Sequence, residues 1–178
     1  SAASDVYKRQ ILEFINYSVS LNNTSTSLIK DISFKLERAQ TLGIVGESGS
    51  GKSLTALSAL GLLKRRIFSI KGQVLVNTRN IFELTDSDLN NIRGNEISMI
   101  FQEPMLSLNP VKDLQSQIYE CAELSDQTLD HNDIRSSLNA VGLTDTKKIL
   151  NSYPHMISGG QRQRFMIAPT NASREPLV

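Results

Sequence analysis

The stretch Gly46-Glu47-Ser48-Gly49-Ser50-Gly51-Lys52-Ser53 decides the fold. It fits the pattern glycine, any four residues, glycine, lysine, serine or threonine without a departure. Gly46, Gly49 and Gly51 allow backbone conformations that a side chain forbids. The amide N–H groups can then turn inward as a concave nest for an anion. Lys52 puts a fixed positive charge near the outer phosphates of a bound group. Ser53 offers a hydroxyl to Mg2+, which favours oxygen ligands. Just before the loop, Thr41-Leu42-Gly43-Ile44-Val45 is a short apolar run that reads as a buried strand. After it, Leu54, Leu57 and Leu60 have helical spacing across residues 52–63. Strand, glycine loop and helix together place an anion at a helix N-terminus, where the dipole favours negative charge.

A second string, Ser158-Gly159-Gly160-Gln161, lies far downstream. Pro154 disfavours helix at Tyr153, so a new helix is expected to start after it. Ser158 can cap that helix, and Gln161 three residues on completes a capping box. A first turn made of Gly159 and Gly160 exposes N–H groups with no Cβ in the way, which suits a second anion site. Taken alone, the string reads equally well as an ordinary capping box on a surface helix.

Composition narrows the class. The chain has 178 residues with 39% hydrophobic content, enough for one soluble domain with a real core. A formal net charge of +1 gives no reason to invoke nucleic acid or an acidic membrane surface. The single Cys121 excludes an internal disulfide and fits a reducing compartment. His131 and His155 are far apart and lack metal-ligand spacing, so both read as surface residues. No apolar run is long enough to span a bilayer, and the first residues have no secretory apolar region.

Along the chain, residues 11–36 read as β structure. Ile32, Phe34 and Leu36 alternate with Ser33, Lys35 and Glu37, the period of a half-buried strand. Residues 22–27 form a polar loop. Val74-Leu75-Val76 follows Gly72 as a strand, and residues 86–93 look helical with Leu89 and Ile92 on one face. Ile97-Ser98-Met99-Ile100-Phe101 reads as a second core strand. From about 111 to 150 the pattern is helical: Leu114, Ile118 and Ala122 repeat, then Ile134, Leu138 and Val141. Gly142 is placed to end that second helix.

With these motifs in this order, the chain resembles the nucleotide-binding subunits of ABC transporters over residues 11–168. Residues 46–53 are similar to their Walker A loop. Ile157-Ser158-Gly159-Gly160-Gln161 is similar to their signature motif, with Ile157 where leucine is usual. Phe101-Gln102-Glu103-Pro104 matches their Q-loop. The wording of residues 41–53, Ile92-Arg93-Gly94, Met99-Ile100-Phe101-Gln102-Glu103-Pro104-Met105, Ser107-Leu108-Asn109-Pro110 and Tyr153-Pro154-His155 resembles the ATPases of oligopeptide and dipeptide importers, and of related nickel or glutathione systems.

The resemblance implies an α/β fold: a P-loop NTPase core, an antiparallel β subdomain and an inserted helical subdomain at about 103–165. It implies ATP and Mg2+ as cofactors. Gly46, Glu47, Ser48, Gly49, Ser50, Gly51, Lys52 and Ser53 hold the nucleotide from one side, and Ser158, Gly159, Gly160 and Gln161 from the other. Lys52 and Gln102 take catalytic roles, with Ser53 and Gln102 on the metal. The implied partners are membrane permease subunits, a second identical or sister nucleotide-binding subunit and, indirectly, an extracytoplasmic solute-binding protein. The implied place is the cytoplasmic face of the membrane. The segment 103–110 is implied to touch the permease.

Several features depart from the family. Leu21 stands where an aromatic residue usually stacks on adenine, and Ala39 where a turn glycine is usual. After the signature string there is no apolar run ending in Asp and Glu, the Walker B element, and no later switch histidine. Pro169 is expected to end the last helix. Residues 1–10 and 169–178 match nothing in the family and read as non-native ends, which makes the domain C-terminally incomplete. On this reading the chain alone binds Mg-ATP poorly or not at all, does not turn ATP over at the family's rates, and exposes apolar strand faces that make it prone to aggregate. The other readings are a non-hydrolytic nucleotide-binding fragment and a soluble ABC ATPase without a transport role. A P-loop kinase is disfavoured by the signature string and the Q-loop.

Overall fold

The computed structural model describes residues 10–24, 26–101, 108–124 and 130–172. Two compact units divide the chain, one ending at Ile92 and the next beginning at Arg93.

The first unit is built on an antiparallel sheet of β1 (Gln10–Leu21), β2 (Ser27–Glu37), β3 (Phe68–Val76) and β4 (Arg79–Asn80), in the order β2-β1-β3-β4. Its buried face changes phase along each long strand. In β1, Leu12 and Phe14 point inward, then Tyr17 and Val19. In β2, Ile29 is followed by the even-numbered run through Leu36. Each change of phase sits at a residue with left-handed backbone, Asn16 (φ 45) and Asp31 (φ 43), where the pairing register shifts. These are β-bulges: one extra residue keeps apolar side chains on one face although strict alternation is broken. Serine hydroxyls take up the amides that the bulges remove from the ladder. Asn16 N–H donates to Ser33 Oγ at 2.8 Å, and Asp31 N–H to Ser18 Oγ at 2.9 Å. Phe14 stacks on Phe34 with centroids 4.5 Å apart, and Tyr17 on Phe82 at 6.0 Å. The fully buried Tyr17 hydroxyl has no hydrogen-bond partner among the described residues. Burial pushes its pKa up, opposed by the nearby Ser58 hydroxyl.

Helix α1 (Lys52–Ala59) is shorter than the apolar spacing to residue 63 implies. Gly61 (φ 62) stops it: Gly61 N–H returns to the Ser58 carbonyl and Leu62 N–H to the Leu57 carbonyl, a Schellman close. Thr85 accepts from Asp88 N–H at 3.2 Å at the start of α2 (Asp86–Asn95), where Ile92 is buried. The turn after β2 carries Ala39 at φ 63, so alanine adopts the conformation expected of a glycine there.

Two expected strands do not form. Residues 41–45 and 98–101 are irregular, and only an isolated bridge, Arg93 to Ile97, touches the second run. Leu42, Ile44, Val45, Ile100 and Phe101 are exposed. A parallel core strand exists only through neighbours brought in by crossovers, and among the described residues neither run is paired into the sheet.

The second unit is helical: α3 (Leu114–Leu124), α4 (His131–Ala140), α5 (Thr146–Leu150), a 3-10 turn (Pro154–Met156) and α6 (Gly159–Ala172). Leu114, Ile118, Ile134, Leu138, Leu143, Ile149 and Phe165 form its core, on the spacings read from the sequence. Asp130 caps α4 by accepting from Asn132 and Asp133 N–H groups. Gly142 (φ 75) closes α4 as expected. Helix α6 runs through Pro169, against the expectation that it ends there. Proline removes one bond to the Phe165 carbonyl, and the helix, anchored by buried Phe165 and Ala168, continues without it.

Candidate functional site

The first site is the loop before α1. Ser50 N–H donates to the Glu47 carbonyl at 3.2 Å, closing a turn. Gly49 (φ 84) and Gly51 (φ 97) both have left-handed backbone. At Gly51 the need for glycine is double, because a Cβ there would also stand 3.1 Å from the Leu28 carbonyl oxygen. Gly51 caps α1 without any side-chain hydrogen bond. The amides of the first helical turn are therefore left to a ligand or to water. Lys52 Nζ donates to the carbonyls of Gly46 and Glu47, each at 2.6 Å, and lies 3.4 Å from Ser50 Oγ. These bonds fold the ammonium back over the loop and hold its charge there. No carboxylate among the described residues forms an ion pair with it. Ser53, on the first turn of α1, is exposed. A cradle of glycine backbone, a lysine charge and an exposed hydroxyl at an open helix start fits a phosphate with its metal.

Beside the loop lies an open hollow of about 610 Å3. Leu28, Ile29, Ile32 and Phe34 of β2 line one side, and residues 42–45 the other. Leu21 ends β1 opposite Phe68.

The second site is the start of α6, and the expected capping box is formed. Ser158 N–H donates to Gln161 Oε1 at 2.9 Å, and Gln161 N–H to Ser158 Oγ at 3.3 Å. Gly159 and Gly160 are exposed, with nothing within 4 Å of an added Cβ. Ile157 is buried in the helical core just before the turn. Gln102, and with it residues 103–107, lies outside the described residues.

Two clasping side chains escaped the sequence reading. Gln117, almost fully buried, accepts from Asn109 N–H at 2.8 Å and donates to the carbonyls of Asn109 and Lys112. It holds residues 109–112 to α3. Arg164 reaches from α6 to the end of α4. Glutamine and arginine at such spacing carry no pattern that separates a clasp from a solvated side chain, so neither clasp is legible along the chain. Among the described residues no cluster of His, Cys, Asp or Glu could hold a metal. Cys121 is exposed and not in a disulfide, and its pKa is raised by desolvation of the sulfur and then by Glu120.

The family described as ABC transporter matches residues 29–178. The chain belongs to that family. Among its relatives, the uncharacterized ABC transporter ATP-binding protein YejF of Escherichia coli K12 is 40% identical over 94% of this chain and 33% of its own length. The dipeptide transport ATP-binding protein DppD of Lactococcus lactis is 40% identical over 90% of this chain and 48% of its own. The oligopeptide transport ATP-binding protein OppD of Haemophilus influenzae is 40% identical over 84% of this chain and 47% of its own. The chain thus spans a third to about half the length of these curated relatives. The solved structure of cbiO1 from Clostridium perfringens, part of the ABC transporter complex cbiONQ, superposes with a TM-score of 0.70 at 21% identity. It covers 93% of this chain and 62% of that one, a likeness of fold. The fold of this ABC family member is therefore that of an ABC ATPase subunit, with its antiparallel sheet and helical part formed. Among the described residues no helix is long and apolar enough to cross a membrane.

Proposed function

We propose that this chain is the nucleotide-binding portion of an ATP-hydrolysing subunit that drives import of short peptides or of related glutathione or nickel cargo. The observation that carries the reading is the lysine-bearing glycine loop: the Lys52 ammonium is held 2.6 Å from the Gly46 and Glu47 carbonyls at an uncapped helix start. Relatives named for dipeptide, oligopeptide and glutathione transport support the cargo class.

In this reading the backbone of Gly46, Glu47, Ser48, Gly49, Ser50 and Gly51 cradles the phosphates. Lys52 turns its charge toward them, and Ser53 and Gln102 hold Mg2+. When bound, Mg-ATP supplies the phosphoryl group and the cation that neutralises its charge; the chain's own residues position and enclose it. Ser158, Gly159, Gly160 and Gln161 complete the nucleotide site of a second subunit rather than their own. Closure of the pair moves permease subunits at the cytoplasmic face of the membrane, a hinge-type transition.

Equilibrium binding of ATP with Mg2+ tests the reading. Lys52→Ala is expected to weaken the affinity of the chain at least about tenfold, which is about 1.4 kcal/mol; equal affinity in the two proteins refutes it. Turnover by the 178-residue chain alone is expected to be absent, because it carries no apolar run ending in an Asp–Glu pair. A phosphate-release assay at rates usual for such ATPases contradicts that part.

A further inference from the structure

Gly159 and Gly160 pose a mechanical problem. The pair is exposed and an added Cβ meets nothing within 4 Å, so no packing of its own holds the turn. Glycine also gives the backbone the most freedom to lose. The capping box of Ser158 and Gln161 closes the turn on its outer side, but no side chain packs against the two glycines to tie them to the rest of the unit.

Arg164, one helical turn later, supplies that tie. Its Nε–H donates to the Gly160 carbonyl at 3.2 Å, and its Nη1–H to the Gly142 carbonyl at 3.1 Å. Gly142 is the left-handed residue at the end of α4. Its own N–H returns to the Asn139 carbonyl at 2.9 Å, and Leu143 N–H to the Leu138 carbonyl at 2.9 Å. The oxygen that Arg164 grips is therefore fixed by a closed helix end. Gly142 also leaves room for the clasp, since a Cβ there would stand 3.2 Å from Arg164 Nη1. The planar fork of arginine bonds two carbonyls at once, which the point charge of lysine does poorly. On the other flank, Arg162 Nε–H donates to the carbonyl of buried Ile157 at 3.1 Å.

We infer that Arg164 is the positioning residue of the Gly159–Gly160 turn: it ties the first turn of α6 to the end of α4 and so sets the direction in which the exposed amides face. What those amides contact rests on the transport reading above; the clasp itself does not.

Nitrogen-15 relaxation on the labelled 178-residue chain tests the clasp. In the wild type the amides of residues 159–162 are expected at order parameters of about 0.85, the value of rigid backbone. Arg164→Met is expected to drop them below about 0.6 while those of α3 and α5 keep their values. Arg164→Lys restores part of the loss. Arg164→Gln, too short to reach the Gly142 carbonyl, gives the same local loss while keeping a polar side chain. Unchanged order at 159–162 in Arg164→Met overturns the proposal. So does a loss spread evenly over α3–α5, which marks a purely structural role. If Arg164→Met fails to fold, Arg164→Gln and Arg164→Lys decide by the same criteria. Failure of the transport reading shows instead as Lys52→Ala leaving ATP affinity unchanged, which moves none of these order parameters.

Discussion

Val74 is fully buried and Val45 is 96% exposed, although each belongs to a short apolar run. Val74 lies in β3, paired with Phe14 of β1, which is in turn paired with Phe34 of β2. Each of those strands can find an antiparallel partner inside the same unit. Val45 lies in a run whose role as a strand needs parallel neighbours, and parallel neighbours arrive only by crossover. An apolar run is thus a necessary sign of a core strand, and pairing is what converts it into one.

The largest test of this contrast sets Phe14 against Val45. Phe14→Ala removes a ring that is 2% exposed and stacked on Phe34. It is expected to lower stability by about 3–5 kcal/mol, measured by urea denaturation. Val45→Ala is expected to change it by less than about 0.5 kcal/mol, as for a surface site. A loss above about 1.5 kcal/mol, the range of a buried methyl deletion, would mean that residues 41–45 are packed in a strand after all.

Next comes the bulge. Gly72 sits at φ 80, where a Cβ would come 2.3 Å from the Asn16 carbonyl oxygen and 2.4 Å from that of Ile15. Gly72→Ala therefore forces both a left-handed alanine and a backbone clash, and is expected to cost about 1–3 kcal/mol. A neutral Gly72→Ala would show that the sheet does not need its bulge at Asn16.

What was legible in the sequence follows from the same contrast. The glycine loop at 46–53, the capping box at Ser158, the end of α4 at Gly142 and the helical face of Ile134 and Leu138 are all local. Each is fixed by residues within a turn or two of one another, so order along the chain suffices. The alternation of Ile32, Phe34 and Leu36 was legible too. Its change of phase at Asp31 was not, because a bulge is set by what the neighbouring strand needs. The fate of 41–45 and 97–101, and the clasps of Arg164 and Gln117, depend on partners distant in sequence. At the candidate site the loop, Lys52 and the Ser158 turn could be read directly, whereas the residue that orders that turn could not.

The hairpin between β3 and β4 sharpens the rule that local chemistry is readable. Asn77 (φ 44) and Thr78 (φ 69) both have left-handed backbone, the pattern of a type I′ turn, which favours Asn-Gly. Threonine is β-branched and strained there. Thr78→Gly is expected to raise stability by about 1 kcal/mol, despite the greater entropy glycine loses on folding. A decrease in the denaturation midpoint would mean that Thr78 contributes through its hydroxyl, which donates to the Asn77 carbonyl at 2.5 Å.

The smallest expected effect lies at the start of α3. Asp113 accepts from Ser116 N–H at 2.7 Å. This bond, then the Ser116 hydroxyl, holds the carboxyl below its ordinary value, with a small opposing contribution from desolvation. A carboxylate bonded to a backbone amide at a helix start is favoured in its charged form. The sign of the linkage follows: the folded state binds the proton less readily than the unfolded chain. Whatever stability the cap contributes is present above the unfolded value of about 3.9. It is lost as the pH falls through the lowered pKa of the folded state. Asp113→Asn is expected to flatten the acid limb of the stability curve between these two values and to leave the curve near neutral pH unchanged in shape. A carbon-13 titration that places the Asp113 carboxyl at or above the ordinary value removes the cap from the account. It would leave α3 held by the burial of Leu114, Ile118 and Ala122 and by the Gln117 clasp, without the charged cap that starts α4.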